Sequence, residues 1–195
     1  MEFTFPGKFL IRDSDDNGCI LERKTGSYGI KMVIDLRGKV VRVNTGVPQL
    51  DSLIKFFALN AEMGLEVFAE WAGGMDSKGA EMLGIMLGTG LREIFDRKKR
   101  RGLGHSVSVF KGNVSSVTVS LVGSPEERPL KVQLAGGNQK TRDTLAGGII
   151  EFLGGLCDGI NGEINVYLKM GDDPVYMIES LSKGLGRSVG FAFSE

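Results

Sequence analysis

Two stretches of this chain repeat one another at a distance of about half its length, and that repetition constrains the fold more than any other feature. Leu65-Glu66-Val67-Phe68 matches Ile164-Asn165-Val166-Tyr167. After a one-residue change in register, Glu81-Met82-Leu83 and Leu87-Gly88 match Glu179-Ser180-Leu181 and Leu185-Gly186. A strand followed by an amphipathic helix occurs twice, and a unit of that kind buries its apolar face only against a partner. Two amphipathic units matching by chance is the alternative. The repeat predicts an α+β fold of two similar halves, each placing two helices on one face of a mainly antiparallel sheet. The halves would cover about residues 1–100 and 101–195 and share a core as a single compact unit. At 195 residues and 42% hydrophobic content, the chain can fill such a core.

Local patterning supplies the elements. Apolar and polar residues alternate through Ile30, Met32, Ile34 and Leu36 and again through Val40, Val41 and Val43, with Arg37-Gly38 between, which reads as a β-hairpin over residues 29–44. Pro48 suits the first turn of a helix whose apolar face is Leu50, Leu53, Ile54, Phe57 and Ala58, ending near Gly64. Residues 65–71 read as a strand and Gly73-Gly74 as a turn, with Asp76 capping a second helix that carries Leu83, Leu87 and Leu91. The latter half repeats the order. Strands are predicted over 114–122, 130–134 and 163–170, and helices over 141–156 and 174–189.

Charge and cysteine usage narrow the function classes. The 24 basic and 24 acidic residues cancel, so no overall field favours nucleic acid or an anionic membrane. Cys19 and Cys157 stand far apart with no zinc spacing, and residues 1–10 carry no signal-peptide pattern, which makes a reducing cytoplasm the expected compartment. No apolar run approaches the ~20 residues of a membrane-spanning helix. The 29 glycines imply many tight turns and some small-residue helix packing.

Asn44-Thr45-Gly46-Val47-Pro48-Gln49-Leu50-Asp51-Ser52-Leu53 resembles D-T-G-I-x-F-L-D-H-M, the opening signature of the imidazoleglycerol-phosphate dehydratase family, manganese enzymes of histidine biosynthesis. The likeness runs from about Glu22 to about Val189. Lys24-Thr25 and Ile34-Asp35-Leu36 look like the family's first hairpin, and Leu83-Gly84-Ile85-Met86-Leu87-Gly88 resembles its V-G-I-A-L-G. Gly171, Glu179, Lys183 and Arg187 fit G-x-N-x-H-H-I-x-E-A-x-F-K-A-x-A-R. The resemblance implies a duplicated fold like the second domain of ribosomal protein S5, and assembly into homo-oligomers.

It also implies a histidine-rich two-metal site, and there the chain departs from the family. Its one histidine, His105, matches no ligand position. The family's first-helix histidines correspond to Ser52 and Glu151, its first pair to Ser77 and Lys78, and its second pair to Val175 and Tyr176, leaving Glu81 and Glu179 of the ligand set. Imidazole suits manganese, whereas serine is a poor ligand, valine is none, and the Lys78 ammonium repels a cation. No cofactor and no metal are therefore expected. Ser27 replaces the glutamate of R-x-T-x-E-T, the phosphate arginine of R-F-G aligns with Gly102 unless Arg101 slides in, and the C-terminal S-T-K-G is absent. Arg128 and Lys183 remain as phosphate-binding candidates.

The expected role is therefore ligand binding or assembly without manganese-dependent dehydration. The competing reading is an enzyme acting on a phosphorylated small molecule, with Glu81 or Glu179 as acid or base. A third takes the basic run Arg97-Lys98-Lys99-Arg100-Arg101 as a nucleic-acid contact, against the plainer reading of a solvated, dipole-complementing helix end. Asp76, Glu81, Glu151 and Glu179 would suit Mg²⁺ or Ca²⁺ if subunits brought them together, against a plain role at helix starts. His105 reads as an exposed or backbone-bonded residue of a glycine-rich loop, and Gly123-Ser124-Pro125-Glu126-Glu127 as a turn.

Overall fold

The computed structural model describes residues 10–97, 100–122 and 130–194. Strands β1 (Leu10–Ser14), β2 (Gly18–Lys24), β3 (Tyr28–Asp35), β4 (Val41–Asn44) and β5 (Gly64–Trp71) form one sheet in the order β1-β2-β3-β5-β4. Strands β6 (Leu103–Phe110), β7 (Asn113–Ser120), β8 (Leu130–Gly136) and β9 (Glu163–Met170) form a second, in the order β6-β7-β9-β8. Without β1 the two orders are the same. In each sheet a hairpin is followed by an antiparallel third strand with a short parallel strand at its edge. The repeated tetrapeptides occupy equivalent places: Leu65 lies opposite Ile34 and Val41, as Ile164 lies opposite Val119 and Leu130. The fold is α+β and duplicated.

Helices α1 (Pro48–Asn60) and α2 (Ser77–Arg97) follow β4 and β5; α3 (Gln139–Thr144), α4 (Ile150–Ile160) and α5 (Pro174–Phe193) follow β8 and β9. On α1 the five residues read as its apolar face, Leu50, Leu53, Ile54, Phe57 and Ala58, are the buried ones. A fully buried Leu, Ile or Phe contributes about 1.5–3 kcal/mol, so this face alone commits the helix to the core. Asp76 caps α2 as its sequence implies, its Oδ1 accepting from the Gly79 N–H at 2.8 Å.

The helices of the two halves pair crosswise, α2 with α4 and α1 with α5. Glycine makes the first crossing feasible. A Cβ on Gly84 would stand 2.1 Å from the Phe152 carbonyl oxygen, and one on Gly88 2.4 Å from that of Leu156. On the facing helix, a Cβ on Gly155 would meet the Glu81 carbonyl at 2.0 Å and one on Gly159 that of Ile85 at 2.4 Å. The two backbones touch directly, closer than any larger residue allows. Because the matched positions advance together, α2 and α4 run in the same direction, and their N-termini lie at one end.

Several local expectations are corrected. The hairpin over residues 29–44 does not form. A turn does close there, with Arg37 and Gly38 N–H groups donating to the Asp35 side chain and carbonyl, but β4 passes to the far side of β5 and pairs with it in parallel. The apolar strand β5 supplies Leu65 and Val67 opposite Ile34 and Met32, and this core-facing pairing overrides the local turn signal. The hairpin partner of β3 is β2, which alternation did not single out. The helix over 141–156 is broken: a wide turn at Leu145–Ile149 contains Gly147 at ψ 42° and Gly148 at φ +104°, separating α3 from α4. Helix α1 stops at Asn60, and Gly64 begins β5. His105 lies in strand β6, not in a loop.

Candidate functional site

Helix α2 opens beside a cleft of about 520 Å³ lined by Arg23, Ser27, Tyr28, Trp71, Asp76, Lys78, Glu81 and Met82, with Gly73, Gly74 and Gly79 in its floor and rim. Its walls come from sequence-distant elements brought together by the first sheet. Tyr28 and Trp71 are the terminal pair of the β3–β5 ladder, and their rings lie 5.3 Å apart at 39°. The indole is fixed at both edges. Its Nε1–H donates to the Thr45 carbonyl at 2.8 Å, while Thr45 itself gives its N–H and hydroxyl to Asp51 Oδ1, both at 2.7 Å. At the other edge it abuts Gly79, where a Cβ would lie 2.9 Å from Trp71 Cζ3. The Asn44-Thr45-Gly46 motif thus acts here as the anchor of the tryptophan.

Arg23 reaches over the Tyr28 ring, 5.4 Å from its centroid, and donates through Nη1 to the Met82 thioether at 2.9 Å. A thioether is a weak acceptor, and the buried Arg23 Nε has no hydrogen-bond partner among the described residues. Lys78 and Glu81 are exposed at the cleft mouth. Two cations and two carboxylates, Arg23 and Lys78 with Asp76 and Glu81, line the cleft together.

At the equivalent position in the second half the side chains engage one another. Tyr176 stands edge-on to Phe110, with centroids 5.6 Å apart at 79°. Lys183 Nζ lies 4.1 Å from the Phe110 centroid and 2.6 Å from Glu179 Oε1. Val175 is exposed, and its N–H caps onto Asp173 at 2.9 Å. Lys183, a phosphate-binding candidate, is thereby engaged by Glu179 and Phe110.

The crossed helix pairs decide which predicted residues come together. Because Gly155 abuts Glu81 and α2 and α4 run parallel, Glu151 at the start of α4 lies at the same end as Ser77, Lys78 and Glu81. A Cβ on Gly148, just before α4, would lie 3.3 Å from Ala80 Cβ and 3.8 Å from Leu50 Cδ1, so three helix starts converge there. In the other pair a Cβ on Gly186 would meet the Phe57 carbonyl at 2.4 Å and one on Gly190 the Ala61 carbonyl at 3.3 Å, which places Ser52 at the end that carries Val175, Tyr176 and Glu179. Each pair therefore joins one half's first helix to the other half's second. Glu151 Oε2 is buried without a hydrogen-bond partner among the described residues. Among those residues no three His, Cys, Asp or Glu side chains are grouped as a metal-binding set.

Other sequence candidates are scattered. Arg128 lies outside the described residues, as do Lys98 and Lys99 of the basic run and residues 123–127. Arg97 bonds Glu93 Oε1 at 2.7 Å and Ser14 Oγ at 2.6 Å; Arg100 bonds the carbonyls of Asp16 and Phe193 and stacks 5.3 Å from the Phe193 ring. These two arginines tie the end of α2 to β1 and the chain's last helix. Arg101 is exposed, and Gly102 takes φ +73° as its N–H pairs with the Ala192 carbonyl. His105 Nδ1 lies 3.0 Å from Thr118 Oγ1, its cross-strand neighbour. Arg23, Tyr28 and Trp71 were not singled out by their sequence; Trp71 as the sole tryptophan, two residues before a Gly-Gly turn, was the available signal.

A duplicated sheet-and-helix unit with crossed helix pairs and residue clusters at the helix starts defines a class of fold, and solved structures share it. The chain is similar to imidazoleglycerol-phosphate dehydratase from Staphylococcus aureus N315 (TM-score 0.72, 21% identity, covering 91% of this chain and 98% of that one). It is also similar to the Pyrococcus furiosus protein solved in complex with (S)-C348 (TM-score 0.68, 21% identity, 89% and 93% covered). Among curated proteins, imidazoleglycerol-phosphate dehydratase from Thermotoga petrophila is 26% identical over 178 residues, 91% of this chain and 90% of that protein. The one from Syntrophobacter fumaroxidans is 28% identical over 160 residues, 81% and 79% of the two chains. The family model for imidazoleglycerol-phosphate dehydratase matches residues 45–189, and the chain belongs to that family.

Proposed function

We propose that this protein keeps the family's fold without its manganese-dependent dehydration, and that it serves as a ligand-binding member through the cleft beside α2. The carrying observation is the side-chain set at the helix starts. Ser52, Ser77, Lys78, Glu151, Val175 and Tyr176 stand where the resemblance expects imidazoles. A hydroxyl, an ammonium and an alkyl group do not fit a manganese centre of nitrogen ligands. The second-half cluster supports the same reading, since Glu179 is paired with Lys183. The test is a dehydratase assay on imidazoleglycerol phosphate with added manganese. No turnover above background is expected; robust turnover abolished by Glu81→Gln overturns the proposal.

The second reading is an enzyme that still acts on a phosphorylated small molecule, with Glu81 as acid or base, and it is favoured only by the position of Glu81 at the cleft mouth. Homo-oligomerisation is proposed as well. The outer face of the second sheet exposes Leu103, Val107, Val109 and Tyr167, an apolar strip of the kind that covers itself in an assembly. Sedimentation velocity of the wild type beside Val107→Lys/Val109→Glu checks this, a monomeric wild type being the contrary result. The buried free thiols of Cys19 and Cys157 suit a cytoplasmic setting. Among the described residues no helix is long and apolar enough to cross a membrane.

A further inference from the structure

We propose that the cleft beside α2 binds a small zwitterion of the α-amino-acid class, its carboxylate met by Arg23 and Lys78, its ammonium by Glu81, and its apolar body by Tyr28 and Trp71. This deepens the ligand-binding reading and rests on the cleft being a ligand site, not on the loss of dehydration.

Three observations carry it. First, Arg23 is a held but underused donor. Its guanidinium is oriented against Tyr28 at 5.4 Å, yet its hydrogen bond among the described residues goes through Nη1 to a thioether, and its buried Nε has no partner there. A planar guanidinium with spare donors is suited to a carboxylate, which accepts two parallel N–H bonds. Second, the charges lining the cleft balance. A phosphate monoester would have to sit beside both Asp76 and Glu81, whose fields oppose a dianion. A zwitterion meets no such penalty, because it presents one charge to each sign. Asp76 is committed to the Gly79 N–H, which leaves Glu81 as the carboxylate available for an ammonium. Neither Lys78 nor Glu81 is ion-paired with a described residue.

Third, the aromatic wall is rigid before any ligand arrives. The indole edges are tied to Thr45 and packed on Gly79, so binding against Trp71 orders no mobile ring. The cleft of about 520 Å³ falls within the ~300–1,000 Å³ of ordinary small-molecule sites. The second half lacks these features at the equivalent place, where Tyr176 replaces Lys78 and packs on Phe110.

The test is isothermal titration of the full chain with L-phenylalanine, L-tyrosine and L-tryptophan, beside N-acetyl-L-phenylalanine, L-phenylalaninamide, inorganic phosphate and phenyl phosphate. Saturable binding of at least one free amino acid is expected, weakened about tenfold or more when either ligand charge is removed. Glu81→Gln is expected to weaken the free amino acid about tenfold while leaving the N-acetyl derivative unchanged. Glu81 is exposed, so this variant should melt with the wild type; if it does not, the charge-deleted ligands on the wild type carry the test. Absence of binding by all three amino acids at millimolar concentration, tighter binding of phenyl phosphate, or equal affinity for the charged and charge-deleted ligands overturns the inference. A dehydratase turnover would overturn the preceding reading and leave this one standing.

Discussion

Lys183 Nζ is 2.6 Å from Glu179 Oε1, one helical turn away on α5, and both side chains are largely withdrawn from water. The family resemblance offers Lys183 as a phosphate contact, but the structure has it clamped by Glu179 and covering Phe110. Replacing it with methionine keeps the aliphatic packing and removes the charge-assisted bond and the cation–π contact, together worth about 1–2 kcal/mol. For a chain of this length the melting temperature should fall by roughly 2–8 °C. Phosphate binding measured by equilibrium dialysis should not change; a selective loss would restore Lys183 as a ligand contact.

Neighbouring glycines on α4 should respond oppositely to alanine. A Cβ at Gly154 meets nothing within 4 Å, whereas one at Gly155 would lie 2.0 Å from the Glu81 carbonyl oxygen. Gly154→Ala should gain up to about 1 kcal/mol from helix propensity. Gly155→Ala should lose about 3 kcal/mol or more, because two backbones have to separate. Urea denaturation of the two variants decides it, and equal midpoints would mean that α2 and α4 are not in direct contact.

Trp71 is the only tryptophan, so its emission reports on the cleft without labelling. Trp71→Phe removes the donor to the Thr45 carbonyl and should cost about 1–3 kcal/mol. Gly79→Ala should push the indole from its seat, since the added Cβ would lie 2.9 Å from Trp71 Cζ3 and 3.0 Å from Trp71 Cη2. A shifted Trp71 emission maximum in the folded Gly79→Ala variant is the expected result; an unchanged spectrum would contradict the packing.

Burial pushes the Cys19 thiol up to about 12 and that of Cys157 up to about 11. Both should resist thiol reagents at pH 8 in the folded protein and react on unfolding. The thiol pKa is raised in the folded state, so its stabilising share is intact below the ordinary value of 9.0 and disappears as pH climbs from there towards about 12. Denaturation midpoints should therefore fall across that window, less steeply in Cys19→Ala. A midpoint independent of pH between 9.0 and about 12 would refute this.

Much of the fold was legible because it is local and repeated. The apolar face of α1, the Asp76 cap and the strand at residues 163–170 follow from spacing that no tertiary contact needed to correct. The hairpin at residues 29–44 was misread because a sound turn signal says nothing about a strand inserted from 20 residues further on. The break at Gly147-Gly148 was hidden inside a continuous helical pattern. The site was legible in what it lacks, since each missing imidazole can be counted against a motif. What it contains was not, because Arg23, Tyr28 and Trp71 belong to three strands and meet only through sheet register.

By itself, then, the sequence determined the duplicated α+β class, the family and the side chains standing at the helix starts. Hydrophobic period, capping residues and motif spacing are all written along the chain. Only the tertiary structure decided how the two halves differ, with a charge-balanced cleft at Lys78 and a cluster of mutually engaged Tyr176, Phe110 and Lys183 at the other. That difference depends on which backbones glycine lets touch and which rings then fall within reach, and those distances are set only when both sheets have closed over their shared helices.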